Sequence, residues 1–248
     1  MADLDFLKAF TSARIAIGRV GTSIPVQESL EFKLAHAHAR DAVYSSLDLN
    51  AIVEDLKQFN LPVLSLHSKA ADRIQYLQRP DFGRQLNDNS MQILSTQITG
   101  KDVAICIADG LSAVAISKNV TALLQQLLPA LLQAGFSLAP ISIVQQGRVA
   151  IADDIGENLK AKLTLILIGE RPGLSASDSM GAYLTYQPKR GLTDDSRNCI
   201  SNIRHGGLDA QSAAAKIFYL IHESFQQRLS GVTLKDNFIE QKLYNYNL

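Results

Sequence analysis

The chain has 248 residues, of which 46% are hydrophobic and 19% are charged, and its 24 basic and 24 acidic side chains balance to a net charge of zero. The length can bury a full core, no basic surplus points to nucleic acid, and no apolar run approaches the roughly 20 residues that span a bilayer. Because there is no secretion signal and Cys106 and Cys199 make no disulfide framework, we expect a cytoplasmic protein with neither a nucleic-acid nor a membrane partner.

Residues 1–100 are predicted to form an N-terminal arm and a helical region. Hydrophobic residues at helical spacing, Val26, Leu30, Leu34 and Ala37, predict a helix over residues 25–44. The apolar arm and this helix precede the α/β alternation, so we expect them to contact other subunits. The remaining elements predicted here are a short helix at 6–10, a weak helix at 52–59, a strand at 61–68 and a helix at 69–79.

Residues 101–248 are predicted to form an α/β domain. Short apolar runs predict strands at 102–109, 139–146 and 163–169, with helices at 112–135 and 151–159 between them. This alternation predicts a parallel sheet with right-handed crossovers. Pro129 interrupts the first of these helices, so we expect a kink or two abutting helices. Strands at 181–188 and 197–203, a helix at 209–231 and a tail docked on the surface complete the prediction.

The stretch LTLILIGERPGL at 163–174 is central to the interpretation of function. Its apolar half is too short for an ordinary helix and is stopped by Gly169, Pro172 and Gly173, which indicates a strand buried on both faces. Glu170 follows the carboxyl end of this strand, where open α/β sheets bind ligands. Its carboxylate either accepts hydrogen bonds from a ligand or pairs internally with a nearby arginine.

Three residues are candidates for one binding edge. Val149 and Glu170 each follow a predicted strand, and Cys199 lies in the next turn region of the sequence. An apolar contact, a strong acceptor and a soft thiol would suit a large, flat ligand with an apolar face and amide donors on its rim. Cys199 could also be a nucleophile, although a packed or ligand-touching thiol is favoured. The sequence lacks G-x-G-x-x-G, Walker A and G-x-S-x-G motifs, which argues against ordinary dinucleotide, P-loop and α/β-hydrolase sites.

Several longer motifs resemble the small (light) subunit family of ethanolamine ammonia-lyase, and the resemblance covers nearly the whole chain. IGERPGL and RNCISNI are the most specific of these motifs. The segments that carry the resemblance are GRVGTSIP (18–25), FKLAHAHARDAV (32–43), RPDFGRQL (79–86), ADGLSA (108–113), QGRVAIADDIGE (146–157), LIGERPGLSASDSMGAYLTY (167–186) and RNCISNIRHGGL (197–208).

The resemblance implies a subunit of an adenosylcobalamin-dependent lyase that converts ethanolamine to acetaldehyde and ammonia by a radical mechanism. It implies a Rossmann-like domain that closes the cobalamin site against a barrel-shaped large subunit, in a heterododecamer with equal numbers of both subunits. Cobalamin contacts carry over to Val149, Glu170 and Cys199, with no catalytic residue and no metal ligand in this chain. The family also implies a bacterial microcompartment for ethanolamine utilisation, although the arm before GRVG is shorter than in some members.

Two other functions are compatible with the residues alone. One is a stand-alone cytosolic α/β protein that binds another nucleotide-like ligand at the same sheet edge. The other is a non-catalytic scaffold whose N-terminal helix organises an oligomer. Cobalamin binding and its dependence on a partner would discriminate between these functions.

Overall fold

Six short runs rich in Leu, Ile and Val form one sheet in the computed structural model, which describes residues 5–11 and 13–238. The strand order is β1-β3-β2-β4-β5-β6. Every strand overlaps a segment that the sequence predicted. The strands are β1 (Val63–His67), β2 (Val103–Ala108), β3 (Ile141–Gln145), β4 (Leu163–Gly169), β5 (Met180–Tyr186) and β6 (Arg197–Ile203).

The α/β class is confirmed, but the prediction of a parallel sheet is wrong for the last two strands. The first four strands are parallel, whereas β5 runs antiparallel to β4 and β6 antiparallel to β5. The connections at 170–179 and 187–196 contain no α-helix, and a parallel return needs a crossover connection of a dozen or more residues. The chain therefore folds back directly. As a result β6 runs in the same direction as β4, and its carboxyl end lies at the same edge.

The α-helices cover both faces of the sheet. They are α1 (Val26–Tyr44), α2 (Leu49–Leu56), α3 (Arg73–Gln78), α4 (Asp88–Ser95), α5 (Ala113–Gln133), α6 (Ile151–Asn158) and α7 (Ala210–Gln227), and a 3-10 turn covers Asp5–Ala9. The sequence did not predict α4, a short and largely polar helix whose cap, Asn87, accepts the N–H of Ser90. The alternative of two abutting helices at Pro129 is also wrong, since α5 is continuous through it, and the alternative of a kink stays a prediction. Buried leucines on both sides of Pro129 hold α5 in the core and offset the lost hydrogen bond.

The core has two layers, one on each face of the sheet. Alternate residues of β2 point to opposite faces, so that Ile105 packs with α5 and α7 while Cys106 packs with α4 and α6. The strand β1 belongs to the same sheet, so the sheet begins earlier along the chain than residue 101. The division into an N-terminal region, 1–100, and a domain at 101–248 stays a prediction.

Two charge pairs with buried carboxylates join α6 to the β5–β6 connection and to the first residue of β6. The guanidinium of Arg197 donates to Asp153 at 2.8 Å, and that of Arg190 donates to Asp154 at 2.5 Å. Asp154 also accepts the N–H of Leu86. The two carboxylates lie in the first turn of α6, as the sequence predicted, but both are buried and paired.

The helix α1 packs on the rest of the chain through one narrow face. Ala42 is its one buried residue. The predicted apolar stripe faces outwards, with Val26, Leu30 and Leu34 exposed by 75%, 58% and 57%. Phe10 in the preceding arm is also exposed.

At the other end of the chain, part of the tail docks on α7. Leu234 is buried, and the ring of Phe238 lies 5.4 Å from that of Tyr219. Residues 239–248 of the predicted docked tail lie outside the described residues. Within the described part of the chain, no helix has both the length and the apolar character needed to cross a bilayer.

Candidate functional site

An open cleft of about 420 Å³ lies at the carboxyl end of β2, β3 and β4. This is the edge at which the sequence predicted a ligand. Gly169 allows the ends of β2 and β4 to meet, because a Cβ there would lie 2.1 Å from the carbonyl oxygen of Ser112. The residues that line the cleft are Tyr76, Gly110, Leu111, Arg148, Val149, Ile168, Gly169, Glu170, Arg171, Tyr183 and Ser201.

The Glu170 carboxylate is held by hydroxyl groups and a backbone amide. It accepts from Ser179 Oγ at 2.5 Å, from the N–H of Asn202 at 3.2 Å and from Ser201 Oγ. Within residues 5–11 and 13–238, no basic side chain forms an ion pair with Glu170. The described residues therefore give Glu170 no internal ion pair, and its role as an acceptor for a ligand stays a prediction.

A β-bulge supplies two of these partners. Ser201 and Asn202 on β6 both oppose Gly181 on β5, since Met180 pairs with Ile203 and Ala182 pairs with Ile200. The bulge breaks the ladder and frees the Asn202 N–H for Glu170. Gly181 leaves room for the carboxylate, because a Cβ there would lie 3.0 Å from Glu170 Oε1. Ser201 and Asn202 were not predictable as partners of Glu170, since nothing in RNCISNI marks the bulge.

Val149 lies on the β3–α6 connection and lines the cleft as predicted. Its neighbour Arg148 also lines the cleft, and it places its guanidinium 4.1 Å from the centre of the Tyr76 ring. The Arg148 Nη2 donates to the carbonyl oxygen of Tyr76 at 3.1 Å, whereas its buried Nε has no hydrogen-bond partner among the described residues. Burial raises the pKa of the Tyr76 hydroxyl, which stays protonated at neutral pH. The sequence offered no signal for Tyr76, which comes from α3 in the N-terminal region.

Cys199 lies inside strand β6, which confirms the strand predicted at 197–203 and corrects the assignment of Cys199 to a turn region. It pairs across the sheet with Tyr183, which lines the cleft. The thiol lines a neighbouring hollow of about 290 Å³ that also includes Ser201. Burial raises the pKa of the Cys199 thiol, the Tyr183 hydroxyl opposes this effect, and the Glu170 charge adds to it. A thiol with a raised pKa is a poor nucleophile at neutral pH, which argues against the nucleophile interpretation.

The cleft therefore combines an apolar wall with polar groups of both kinds. Val149, Leu111 and Ile168 offer apolar contacts, Arg148 offers donors and Glu170 offers an acceptor. No group of three or more His, Cys, Asp or Glu side chains that could hold a metal ion occurs in the described part of the chain. This arrangement can bind and orient a ligand that carries amide groups on an apolar frame.

The protein is of the α/β class, and its cleft at the carboxyl ends of the parallel strands carries the apolar and polar groups of a candidate ligand site. Residues 2–235 match the family described as ethanolamine ammonia-lyase light chain (EutC). The chain belongs to this family, and the predicted resemblance is confirmed.

Curated relatives agree with the family match over most of their length. A protein of Pseudomonas aeruginosa (strain LESB58) named ethanolamine ammonia-lyase small subunit is 51% identical over 234 residues, which cover 93% of this chain and 86% of the relative. A protein of the same name from Xanthomonas campestris pv. campestris (strain ATCC 33913) is 50% identical over 93% of this chain and 86% of the relative. The one from Pseudomonas fluorescens (strain SBW25) is 51% identical over 93% of this chain and 84% of the relative.

Proposed function

We propose that the cleft completes an adenosylcobalamin site where this chain meets a large subunit. By its family the chain is a component of an ethanolamine ammonia-lyase, a carbon–nitrogen lyase. The observation that carries the proposal is the Glu170 carboxylate, which is held by Ser179 and lines the same cleft as the apolar side chain of Val149. The substrate is ethanolamine, and the products are acetaldehyde and ammonia.

The residues of the cleft fit the cofactor. An ionised carboxylate has about four acceptor sites, and protein groups occupy three of them on Glu170. The remaining site suits an N–H from an amide on the rim of the corrin ring. The cleft is open and far smaller than the whole cofactor, which fits a site that is covered from the other side by a partner.

The chain's own part in the reaction is to bind, orient and bury. When bound, the cofactor supplies the radical chemistry. Glu170 accepts from an amide of the ligand, Val149 packs on its apolar surface, and Arg148 donates to an oxygen on its rim. Cys199, which lies beyond Tyr183, is a packing contact at the margin of the site and not a thiolate ligand of cobalt.

The partner is the large subunit, with equal numbers of both chains in a heterododecamer. The outward-facing apolar stripe of α1 and the exposed Phe10 support a role in this assembly, because exposed apolar surface of this extent marks interaction sites. The enzyme works in the cytoplasm, inside a bacterial microcompartment for ethanolamine utilisation.

The function is tested by reconstitution. The purified chain alone is expected to produce no acetaldehyde from ethanolamine and adenosylcobalamin, because its part is confined to binding. Addition of the separately purified large subunit should restore production, and each subunit assayed alone is the control. Acetaldehyde formed by this chain alone, or no activity from the mixture, would contradict the proposal.

Glu170→Gln is expected to weaken cobalamin binding without unfolding the protein. A hydrogen bond to a charged group contributes roughly 1.5–3 kcal/mol, which corresponds to roughly a ten- to hundredfold change in affinity. Because Gln keeps one acceptor oxygen, we expect the lower end of this range. The measurement is titration of the assembled enzyme with cobalamin, followed by absorbance.

The matched control is Glu54→Gln, a substitution on the exposed surface of α2. It makes the same chemical change away from the cleft, and it should leave the affinity for cobalamin unchanged. An unaltered affinity of the Glu170→Gln enzyme, together with a lower melting temperature, would assign Glu170 a structural role instead.

A further inference from the structure

The connection from β3 to α6 presents Val149 to the cleft in an unusual backbone conformation. Gln146, the first residue after β3, has a φ of 54°, in the left-handed region that side chains other than glycine rarely adopt. Such a conformation persists when surrounding groups hold it. The hydrogen bonds to the backbone N–H and C=O groups of residues 146–148 show which residues hold this loop.

The carboxylate of Asp109 fixes the start of the loop. Its Oδ2 accepts the N–H of Gln146 at 3.0 Å, and its Oδ1 accepts the N–H of Gly147 at 3.2 Å. The side chain of Asp109 is 5% exposed, and Arg73 Nη1 lies 3.9 Å from Oδ2. Asp109 follows β2, so it links the ends of two neighbouring strands. It is not among the residues that line the cleft.

Two groups from the N-terminal part of the chain hold the other side of the loop. The hydroxyl of the buried Tyr76 donates to the carbonyl oxygen of Gly147 at 3.2 Å. The N–H of Arg148 donates to the carbonyl oxygen of Gly83 at 2.7 Å. The loop is thus held on both sides by hydrogen bonds. The position of Val149 therefore depends on Asp109 and Gly83, which do not line the cleft, as well as on Tyr76, which does.

We propose that Asp109 is a positioning residue of the ligand site, which fixes the 146–148 loop so that Val149 faces the cofactor. This inference rests on the proposed function for the identity of the ligand. The physical reason is that a buried N–H without an acceptor is costly. When the carboxylate is altered, the loop moves to find other partners, and Val149 moves with it.

The opposite end of β2 provides a matched control. Asp102 precedes β2 and accepts from the N–H of Ser137 at 2.9 Å, from Ser137 Oγ at 2.6 Å and from Lys162 Nζ at 2.8 Å. Asp102 therefore also joins β2 to the segment that precedes β3, but it does so at the edge of the sheet away from the cleft. Asp102→Asn makes the same chemical change at the other end of β2 and removes no hydrogen bond from the 146–148 loop.

The experiment compares Asp109→Asn and Asp102→Asn in the enzyme assembled with its large subunit. Asn keeps one acceptor and turns an N–H₂ group towards the other backbone N–H. For Asp109→Asn we expect faster hydrogen–deuterium exchange at residues 146–148 without ligand, and an affinity for hydroxocobalamin weaker by about tenfold. For Asp102→Asn we expect wild-type values of both.

A second variant keeps the test decisive if Asp109→Asn does not fold. Tyr76→Phe removes the O–H that donates to the loop at Gly147 and keeps the ring. It should speed hydrogen–deuterium exchange at residues 146–148 and weaken the affinity for hydroxocobalamin by a smaller factor than Asp109→Asn does. The affinity of the double variant Asp109→Asn/Val149→Ala for hydroxocobalamin should be no lower than the lower of the affinities of Asp109→Asn and Val149→Ala, because both changes act through Val149.

The outcomes separate this inference from the proposed function. Equal affinities for wild type and Asp109→Asn, or an equal loss in Asp102→Asn, would overturn the positioning role. Additive losses in the double variant would also overturn it, because Asp109 would then act on the ligand independently of Val149. If the wild-type enzyme itself did not bind cobalamin, the proposed function would fall, and exchange at residues 146–148 would still decide whether Asp109 holds the loop.

Discussion

Replacing Arg197 by Met is expected to lower the free energy of unfolding by about 3–5 kcal/mol, since the change leaves a buried carboxylate without its partner. The side chains of Arg197 and Asp153 are each 2% exposed. Arg197 also donates to Thr185 Oγ1 at 3.2 Å and to the carbonyl oxygen of Leu192 at 3.0 Å. The substitution therefore removes several hydrogen bonds from the joint between α6 and β6.

The pH dependence of this variant follows from Asp153. Burial raises the pKa of its carboxyl group, and Arg197 opposes that effect. Without Arg197 the pKa of the Asp153 carboxyl group rises further. A carboxyl group whose pKa is higher in the folded state than in the unfolded state lowers the stability of the fold as the pH rises through the folded-state pKa. The deficit relative to wild type should therefore be largest above the folded-state pKa of Asp153, and it should shrink as the pH falls through that pKa towards the ordinary carboxyl value.

Urea unfolding followed by circular dichroism measures the effect. The control is Arg79→Met, which breaks an exposed pair with Asp81 and should change the free energy of unfolding little, because solvent screens this pair. A double variant, Arg197→Met/Asp153→Leu, should recover much of the loss, because it leaves no unpaired buried charge. A cost for Arg197→Met as small as that of the control would contradict the stabilising role of the buried pair.

Replacing Val26, Leu30 and Leu34 together by Gln is expected to prevent co-purification with the large subunit and to leave the melting temperature of the isolated chain unchanged. These side chains form the outward-facing stripe of α1, so they contribute little to the fold of the chain itself. In an assembled enzyme each would contribute roughly 1.5–3 kcal/mol by leaving water. The three losses together should reduce the association strongly.

The control replaces exposed apolar residues elsewhere on the surface. Ile98 and Leu132 are as exposed as the residues of the stripe, but they lie outside α1 and the arm. The Ile98→Gln/Leu132→Gln variant should co-purify with the large subunit in full yield. Full yield for the α1 variant as well would show that the assembly uses a different surface.

The elements of this fold were predictable wherever local sequence determines them. The runs at β2 and β4 are apolar, short and bounded by glycine or aspartate, so their strand character follows from composition. The antiparallel direction of β5 and β6 was missed because the alternation of strands and helices ends at residue 169 and does not determine how the later strands pair. The helix α4 was missed because its few apolar residues give no clear period, and its capping residue, Asn87, was the available signal.

The candidate site was predictable in part for the same reason. Val149 and Glu170 follow strands, and residues after parallel strands meet at one edge. Tyr76 and Ser201 reach the cleft through tertiary packing and through a β-bulge, neither of which has a sequence period. Cys199 lies next to the cleft but lines a different hollow, and its contact with cobalamin stays a prediction.

The order of the strands also has a consequence for the nascent chain. In the described sheet β1 lies at the edge and pairs with β3, so Val63 must wait for Ile141 to be synthesised. The strands β4, β5 and β6 instead follow one another and can pair as soon as they leave the ribosome. The segment Val63–His67 is thus the part of the sheet that remains longest without a partner. We expect chains interrupted before residue 141 to expose an unpaired apolar strand and to depend on chaperones during that interval.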